Sequence, residues 1–357
     1  MKKAIVAMVA AVLGAIGLSP APAHAASGPD IKVTNLYIHP SHKGWCLDLM
    51  VGVSPAPGAQ RTWDIALAYC QPFRWAPRTP READVLTHGA TYTHTYWDWT
   101  TQPDLYSYVG RALDDGRATV AYDRIGNGAS TRPVSADITM TSDAWVLHQL
   151  IQLTRATGVH YVNSVGHSYG SGVVLAEAAN PDYDDVDNVI LTGYLHRPSN
   201  PLVTAGNYPA NQDPKFAGLG LDDGWLTTRP GARAYGFHSS TTDPALIELD
   251  EANKDLVSRT GLLDFLAQRN VVKADNISNT VKVPVLAVNG ELDAIFCNDP
   301  TTFDCADLGQ LLANEAGYYQ KAADFKVVSI RGSGHDLTLH PTAGASYGII
   351  SDWIQSH

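Results

Sequence analysis

Past residue 25 the 357-residue sequence contains no apolar stretch approaching the roughly 20 residues that a bilayer crossing needs, so no membrane span is expected there. Positive charge is also scarce. The 25 Lys and Arg stand against 36 Asp and Glu, a formal net charge of −11, which disfavours nucleic acid and anionic lipid as partners. No His/Cys cluster has metal-ligand spacing and no glycine-rich nucleotide fingerprint occurs, so neither a metal nor any other cofactor is expected. Internal repeats and low-complexity tracts are missing as well. At 45% hydrophobic and 17% charged, the chain has enough apolar material for one large core, with or without an inserted unit.

The first residues read as an export leader: Lys2-Lys3, an apolar run from Ala4 to Leu18, then Pro20, Pro22 and the triplet Ala23-His24-Ala25. Residues 1–25 are therefore expected to be a signal peptide cut after about Ala25. Loss of Lys2 and Lys3 takes the net charge from −11 to −13. Only four cysteines occur, an even number in a chain bound for an oxidising compartment, and this favours disulfides over free thiols. Cys46 and Cys70 are equidistant from Gly58, so a hairpin turning there sets them face to face; Cys297 and Cys305 would close a short loop.

After the leader, β-like runs at 31–38, 46–53 and 63–70 are separated by Pro/Gly-rich turns. Strand and helix patterns then alternate: strand 83–87, helix 104–115, strand 118–122, helix 142–156, strand 160–165, helix 169–179, strand 188–193. The alternation lapses over 195–280, a stretch too long for a loop, and is expected to be a cap inserted over the ligand site. It resumes with strand 283–288, helix 306–323, strand 325–330 and helix 343–355. The expected fold class is α/β, with core residues 26–194 and 281–357 building a mostly parallel sheet covered by helices on both faces.

Two segments fit G-x-S-x-G, centred on Ser168 and Ser346. Serine is a weak nucleophile near neutral pH and needs exposure on a tight strand-to-helix turn, a base, and donors for a developing oxyanion. Ser168 follows the apolar run HYVNSV and precedes a helical pattern with small residues on one face. Ser346 follows a proline-containing loop and lies where a helix has already started, so Ser168 is the expected nucleophile. Its partners should stand at the carboxyl ends of later strands. His335, in Gly332-Ser333-Gly334-His335, is the expected base; Asp293, in Asn289-Gly290-Glu291-Leu292-Asp293, is preferred to Glu291 as the acid that orients it. Oxyanion donors are expected from the backbone N–H of Tyr169 and from that of Ala90, with Thr91 second. Tyr92, Tyr96 and Trp97 either line the acyl pocket or are plain core. Asp123 and Arg124, in the turn after strand 118–122, serve that turn, with an internal ion pair.

His88-Gly89, Asp123-Arg124-x-Gly126-x-Gly128, Gly166-His167-Ser168-Tyr169-Gly170, Gly290-Glu291-Leu292-Asp293 and Gly334-His335 together resemble the α/β-hydrolase superfamily, over about Ala83 to His357. The resemblance implies a central sheet of about eight strands, a cap after the sixth, and acyl transfer through an acyl-serine intermediate. A serine at 168 sets the chain apart from the superfamily's dehalogenases and epoxide hydrolases, which are similar in fold but carry aspartate there. The leading expectation is an exported serine hydrolase (esterase or lactonase) acting on a small to medium apolar molecule. The alternatives are an aminopeptidase or amidase with the same triad, using acids such as Asp222, Asp223, Glu248, Asp250 or Glu251 to hold an amine, and a non-catalytic binding protein. Oligomeric state is left open. Expression with the leader in a bacterial host should release a protein whose first residue, by amino-terminal sequencing, is Ala26; a product retaining Lys2 and Lys3 would refute the leader assignment.

Overall fold

The description rests on a computed structural model and covers residues 30–75, 80–196, 206–297 and 304–357. The expected leader lies outside these residues. Short β-branched and apolar runs that change face at every step form the main sheet. Its nine strands are β1 (Ile31–Ile38), β2 (Gly44–Val53), β3 (Trp63–Pro72), β4 (Glu82–Thr87), β5 (Ala118–Tyr122), β6 (Tyr161–His167), β7 (Asn188–Thr192), β11 (Val285–Gly290) and β12 (Phe325–Ile330), in the order β1-β2-β3-β5-β4-β6-β7-β11-β12. The β1, β2 and β3 strands are antiparallel and the rest, from β5 to β12, are parallel. Nine strands replace the expected eight, because β1 adds an antiparallel strand at the amino-terminal edge. For the same reason the long insertion follows the seventh strand in chain order.

The period-two rule divides the core between the two faces of the sheet. Val85, Val162, Val189 and Leu191 point to one side, where they meet Val146, Leu147 and Leu150 of α3 (Met140–Ala156) and Val173 and Val174 of α4 (Tyr169–Ala178). Leu86, Val165, Ile190 and Val288 point to the other, against Val109, Ala112 and Leu113 of α2 (Tyr108–Asp115) and Ile350, Trp353 and Ile354 of α9 (Ala343–Ser356). The single helix expected over 104–115 is two: α1 (Pro103–Tyr106) stops at Ser107, whose extended backbone and side chain cap α2 by accepting from Gly110 N–H. Helix α3 starts on a reciprocal cap, Thr139 Oγ1 accepting from Ser142 N–H and Ser142 Oγ from Thr139 N–H. The helix expected over 306–323 is shorter, α8 (Leu308–Glu315), and gives way to one tight turn at Ala316–Tyr318.

Between β7 and β11 the described residues form a three-stranded antiparallel sheet, β8 (Asn207–Pro209), β9 (Trp225–Thr228) and β10 (Val257–Ser258), and helices α5 (Ala232–Gly236), α6 (Pro244–Asn253) and α7 (Arg259–Arg269). This segment is stitched to the loop after β4: Thr91 N–H donates to Leu256 O and Asp255 N–H to Thr91 O. Arg233 of α5 donates to Thr91 Oγ1 at 3.0 Å, packs its guanidinium over the Tyr92 ring and pairs with buried Asp250.

Both expected disulfides form. Cys46 and Cys70 are direct cross-strand partners in the β2–β3 register, with Cα atoms 4.1 Å apart, as the symmetry about Gly58 requires. Cys297 and Cys305 close their loop with Cα atoms 5.5 Å apart. Among the described residues no helix is long and apolar enough to cross a membrane. Replacing Cys46 and Cys70 together by Ala should lower unfolding free energy by about 3 kcal/mol, the loop-closure value for such a separation. Denaturant unfolding of the oxidised protein and the variant checks this, and equal midpoints would refute it.

Candidate functional site

Ser168 occupies the single-residue turn between β6 and α4, at φ 53° and ψ −116°. A non-glycine residue in this region is strained by about 1–3 kcal/mol and persists only where the surroundings dictate it. Here they do. A Cβ on Gly166 would lie 2.6 Å from Gly170 O and Ser171 N, and one on Gly170 would lie 2.3 Å from Thr87 O. Gly89 is as tightly placed, 2.9 Å from His167 Cδ2 and 3.2 Å from Ser168 Cβ by the same construction. Ser168 N–H donates to Thr192 O at 2.8 Å, which fixes the turn against β7. The second G-x-S-x-G match has none of this: Ser346 is buried inside α9, and a Cβ on Gly344 or Gly348 would meet nothing within 4 Å.

The loops after β11 and β12 bring Asp293 and His335 together. His335 Nδ1 lies 2.8 Å from Asp293 Oδ2, both residues being buried. The other carboxylate oxygen accepts from Ile295 N–H at 2.8 Å and Phe296 N–H at 3.1 Å. Asp293 is thus oriented through both its oxygens, and an Nδ1–H of His335 directed at Oδ2 leaves Nε2 as the ring's free nitrogen. Glu291 accepts from Gly332 N–H at 2.7 Å instead, a turn contact. His340, further along the chain, is bonded to Ser239 Oγ. Ser168 and His335 line the same cavity, but no hydrogen bond joins them in this structure. A hydrogen bond between them would require the serine rotamer or the imidazole to adjust.

The loop carrying Ala90 is fixed by groups whose protonation is settled. His88 Nδ1–H donates to Gly89 O at 2.9 Å while its Nε2 accepts from Arg124 N–H at 3.0 Å; burial, then Arg124, holds its pKa well below the usual histidine value, so it is neutral. Arg124 also donates to His88 O and to Asp143 Oδ2, and its guanidinium covers the Tyr169 ring, whose hydroxyl donates to the same Asp143 oxygen at 2.9 Å. The expected ion pair of Arg124 is therefore with Asp143 on α3, whereas Asp123 holds His94 and Ala129 N–H. Thr91 N–H is committed to Leu256 O, so of the two donors considered from this loop Ala90 N–H is the uncommitted one, and Ala90 lines the cavity. Tyr169 N–H begins α4 beside it.

The cavity is narrow, about 40 Å³, and joins Ser168, Tyr169, Ala90 and His335 to a mainly apolar wall of Phe237, Leu262, Phe265, Ile295 and Phe296. Tyr92, Tyr96 and Trp97 are not in that wall. Tyr92 donates to Asp336 at 3.1 Å, Tyr96 stacks on His167 with ring centres 4.2 Å apart, and Trp97 packs edge-on against Tyr96 and Tyr108, all three fully buried. The tight turn His94–Trp97 directs Tyr96 and Trp97 into the core on the α2/α9 side, and Tyr92, just before it, is held there by Asp336 and Arg233. The real wall comes from α5, α7 and the residues just after Asp293. Ile295-Phe296, adjacent to the expected acid, and the Leu262/Phe265 spacing on a cap helix were the signals available in the sequence.

Among the described residues two groups of metal-ligating residue types assemble in space, though not in sequence: His148 with Glu177 and Asp185, and His238 with Asp250 and Asp336. Each already holds a cation of its own. Against the burial that opposes its charge, hydrogen bonds to Asp185 and Glu177 push His148 up to about 9, and Arg233 pairs with Asp250 in the second.

This arrangement has known counterparts. Residues 85–346 match the model of the alpha/beta hydrolase family, and the chain belongs to that family. Its fold is similar to a bromoperoxidase from Bacillus anthracis (TM-score 0.56, 17% identity, covering 86% of this chain and 99% of that one). It is also similar to an esterase from Exiguobacterium antarcticum (TM-score 0.57, 16% identity, 82% and 96%) and to a putative aryl esterase from Burkholderia cenocepacia (TM-score 0.57, 17% identity, 87% and 98%). In sequence it is 28% identical over 112 residues to a proline iminopeptidase of Clostridium botulinum, a match spanning 31% of this chain and about a third (34%) of that protein.

The contrast between the two serine motifs is testable on the glycines. Gly170→Ala should cost several kcal/mol and abolish reaction of Ser168 with a fluorophosphonate, since backbone must move to admit the methyl. Gly344→Ala should leave reactivity intact and keep stability within about 1 kcal/mol of the parent. Arg124→Met, stranding Asp143, should cost about 3–5 kcal/mol in urea unfolding; indifference of stability to Gly170→Ala and Arg124→Met would refute the packing account.

Proposed function

We propose that the chain is an exported serine hydrolase of carboxylic esters or lactones, with an acyl group of small to medium size held beneath a cap made by residues 195–280. Ser168 attacks the carbonyl, His335 Nε2 takes its proton, and Asp293 stabilises the imidazolium that forms. The N–H groups of Ala90 and Tyr169 receive the oxyanion, helped by the positive end of α4. His335 then protonates the leaving alcohol, and a water activated by the same imidazole releases the acid. The single observation that carries this reading is Ser168, strained at φ 53° on the wall of one cavity with His335, whose other nitrogen meets buried Asp293 at 2.8 Å. Export is supported by the leader pattern and by the two disulfides.

The partial likeness to a proline iminopeptidase gives the amide reading a footing, but the residues it needs point elsewhere. Asp250 is paired with Arg233 and His238, Asp222 with Ser135, Asp223 with Asn211, and Glu251 with Lys254; none of them, nor Glu248, belongs to the cavity wall. An ammonium in the cavity would find no free carboxylate among these acids. Short-chain aryl esters should be turned over, with kcat falling by about 10⁴-fold or more in Ser168→Ala and in His335→Ala. A fluorophosphonate should label the parent and not Ser168→Ala. Turnover of aminoacyl arylamides exceeding that of every ester would favour the amide reading, and a folded parent that is neither labelled nor active would end the catalytic one.

A further inference from the structure

Among the described residues, one buried cation behind the cavity wall has no hydrogen-bonding partner. Arg269, the last residue of α7, is fully buried, and its Nε, Nη1 and Nη2 atoms make no hydrogen bond with any protein atom. Unpaired buried charge is strongly unfavourable, and proteins that keep one normally provide a counter-ion. The two nearby acids are already engaged. Glu315 accepts from His196 N–H and binds His196 Nδ1, while both oxygens of Asp293 serve His335, Ile295 and Phe296. Burial accordingly pulls the Arg269 guanidinium down to about 10, still far enough above neutrality to keep it charged.

Its position relates it to the cavity. Leu262, Phe265 and Arg269 recur at the i, i+3, i+7 spacing of one helical face, and the first two line the wall. Arg269 lies about one turn, roughly 6 Å, beyond Phe265 along the axis. Its guanidinium carbon is 4.8 Å from the centre of the Phe296 ring and 5.9 Å from that of Phe265. Tyr194 touches the same two rings, at 5.9 Å and 6.1 Å, and its hydroxyl is buried without a partner. Behind the Phe265/Phe296 wall there is thus a guanidinium fork and a phenol with donors to offer and, among the described residues, no acceptor.

We propose that Arg269, with the Tyr194 hydroxyl, binds a carboxylate at the far end of the substrate's acyl group, so that the substrates are esters or lactones of carboxylate-bearing acids. This rests on the serine-hydrolase reading and narrows its substrate class. The planar fork suits bidentate binding of a carboxylate, and the Phe265/Phe296 pair contacts the apolar carbons between the two ends. Phe296 is also packed against the His335 ring, with centres 5.6 Å apart. Seating the carboxylate therefore orients the carbonyl towards Ser168 through the same aromatic wall.

The experiment compares aryl half-esters of succinic, glutaric and adipic acid with the same compounds methylated at the far carboxylate, using the mature protein, Arg269→Met and Arg269→Lys. In the parent the best half-ester should exceed its methylated counterpart in kcat/KM by about tenfold or more. Arg269→Met should lose that preference, turning over the half-ester and its methylated counterpart with kcat/KM values within about threefold of each other. Its unfolding midpoint should not fall, because the cation it removes has no partner; Arg269→Lys should keep part of the preference. Equal use of both esters by the parent would overturn the proposal and leave the hydrolase reading standing, whereas absence of fluorophosphonate labelling and of all ester turnover would overturn both. Should Arg269→Met fail to fold, glutarate at fixed ionic strength decides on the parent alone. Competitive inhibition of neutral-ester turnover supports the proposal, and no inhibition up to high millimolar concentration overturns it.

Discussion

The structure turns on a close approach of backbones at the carboxyl ends of β4 and β6. Gly166, Gly170 and Gly89 have carbonyls, amides or side chains where a Cβ would sit, and Ser168 is consequently driven to positive φ between strand and helix. Nothing in Ser168 itself favours that conformation. The neighbouring chain imposes it, and the outcome is a side chain lifted from the sheet edge with a helix amino terminus directly behind it.

Around that contact a charged network fixes what glycine alone would leave loose. Arg124 joins the turn after β5 to the His88 carbonyl, to Asp143 on α3 and to the Tyr169 ring, so three elements bearing on Ser168 share one buried cation. Arg233 does the equivalent from the other side, holding Thr91 and Tyr92 to the segment between β7 and β11. The loop that offers Ala90 is therefore clamped from both directions by arginines, each with its own buried aspartate. Arg269, the third fully buried arginine of this region, differs from these two in having no such aspartate among the described residues, and that asymmetry is what motivates the proposed carboxylate site.

Much of this was legible in the chain. Apolar runs located β4, β5, β7 and β12 closely: the first three are buried on both faces and need β-branched and aliphatic residues at nearly every position, and β12, at the sheet edge, keeps the same residue types though only partly buried. Strand-to-helix context separated Ser168 from Ser346, since a glycine motif matters only where another backbone presses on it. The symmetry of Cys46 and Cys70 about Gly58 was readable because hairpin register is arithmetic. Helix ends fared less well: Ser107 split one expected helix, and the Gly317 region cut another short, because caps depend on side chains that choose among several backbone partners. The direction of Tyr92, Tyr96 and Trp97 was out of reach, as a tight turn sends the last two into the core and contacts with Asp336 and Arg233, remote in the chain, hold the first.

The linear sequence by itself determined the order and type of the main-sheet strands, the disulfide pairs and the residue types that could carry acyl transfer, since these follow from periodicity and spacing along one chain. Which of Glu291 and Asp293 meets His335, which donor of the Ala90 loop stays free, which aromatics form the cavity wall and which buried arginine lacks a partner were decided only in three dimensions. Each of those is a distance between groups remote in the chain, and such distances are set by packing that no local pattern encodes.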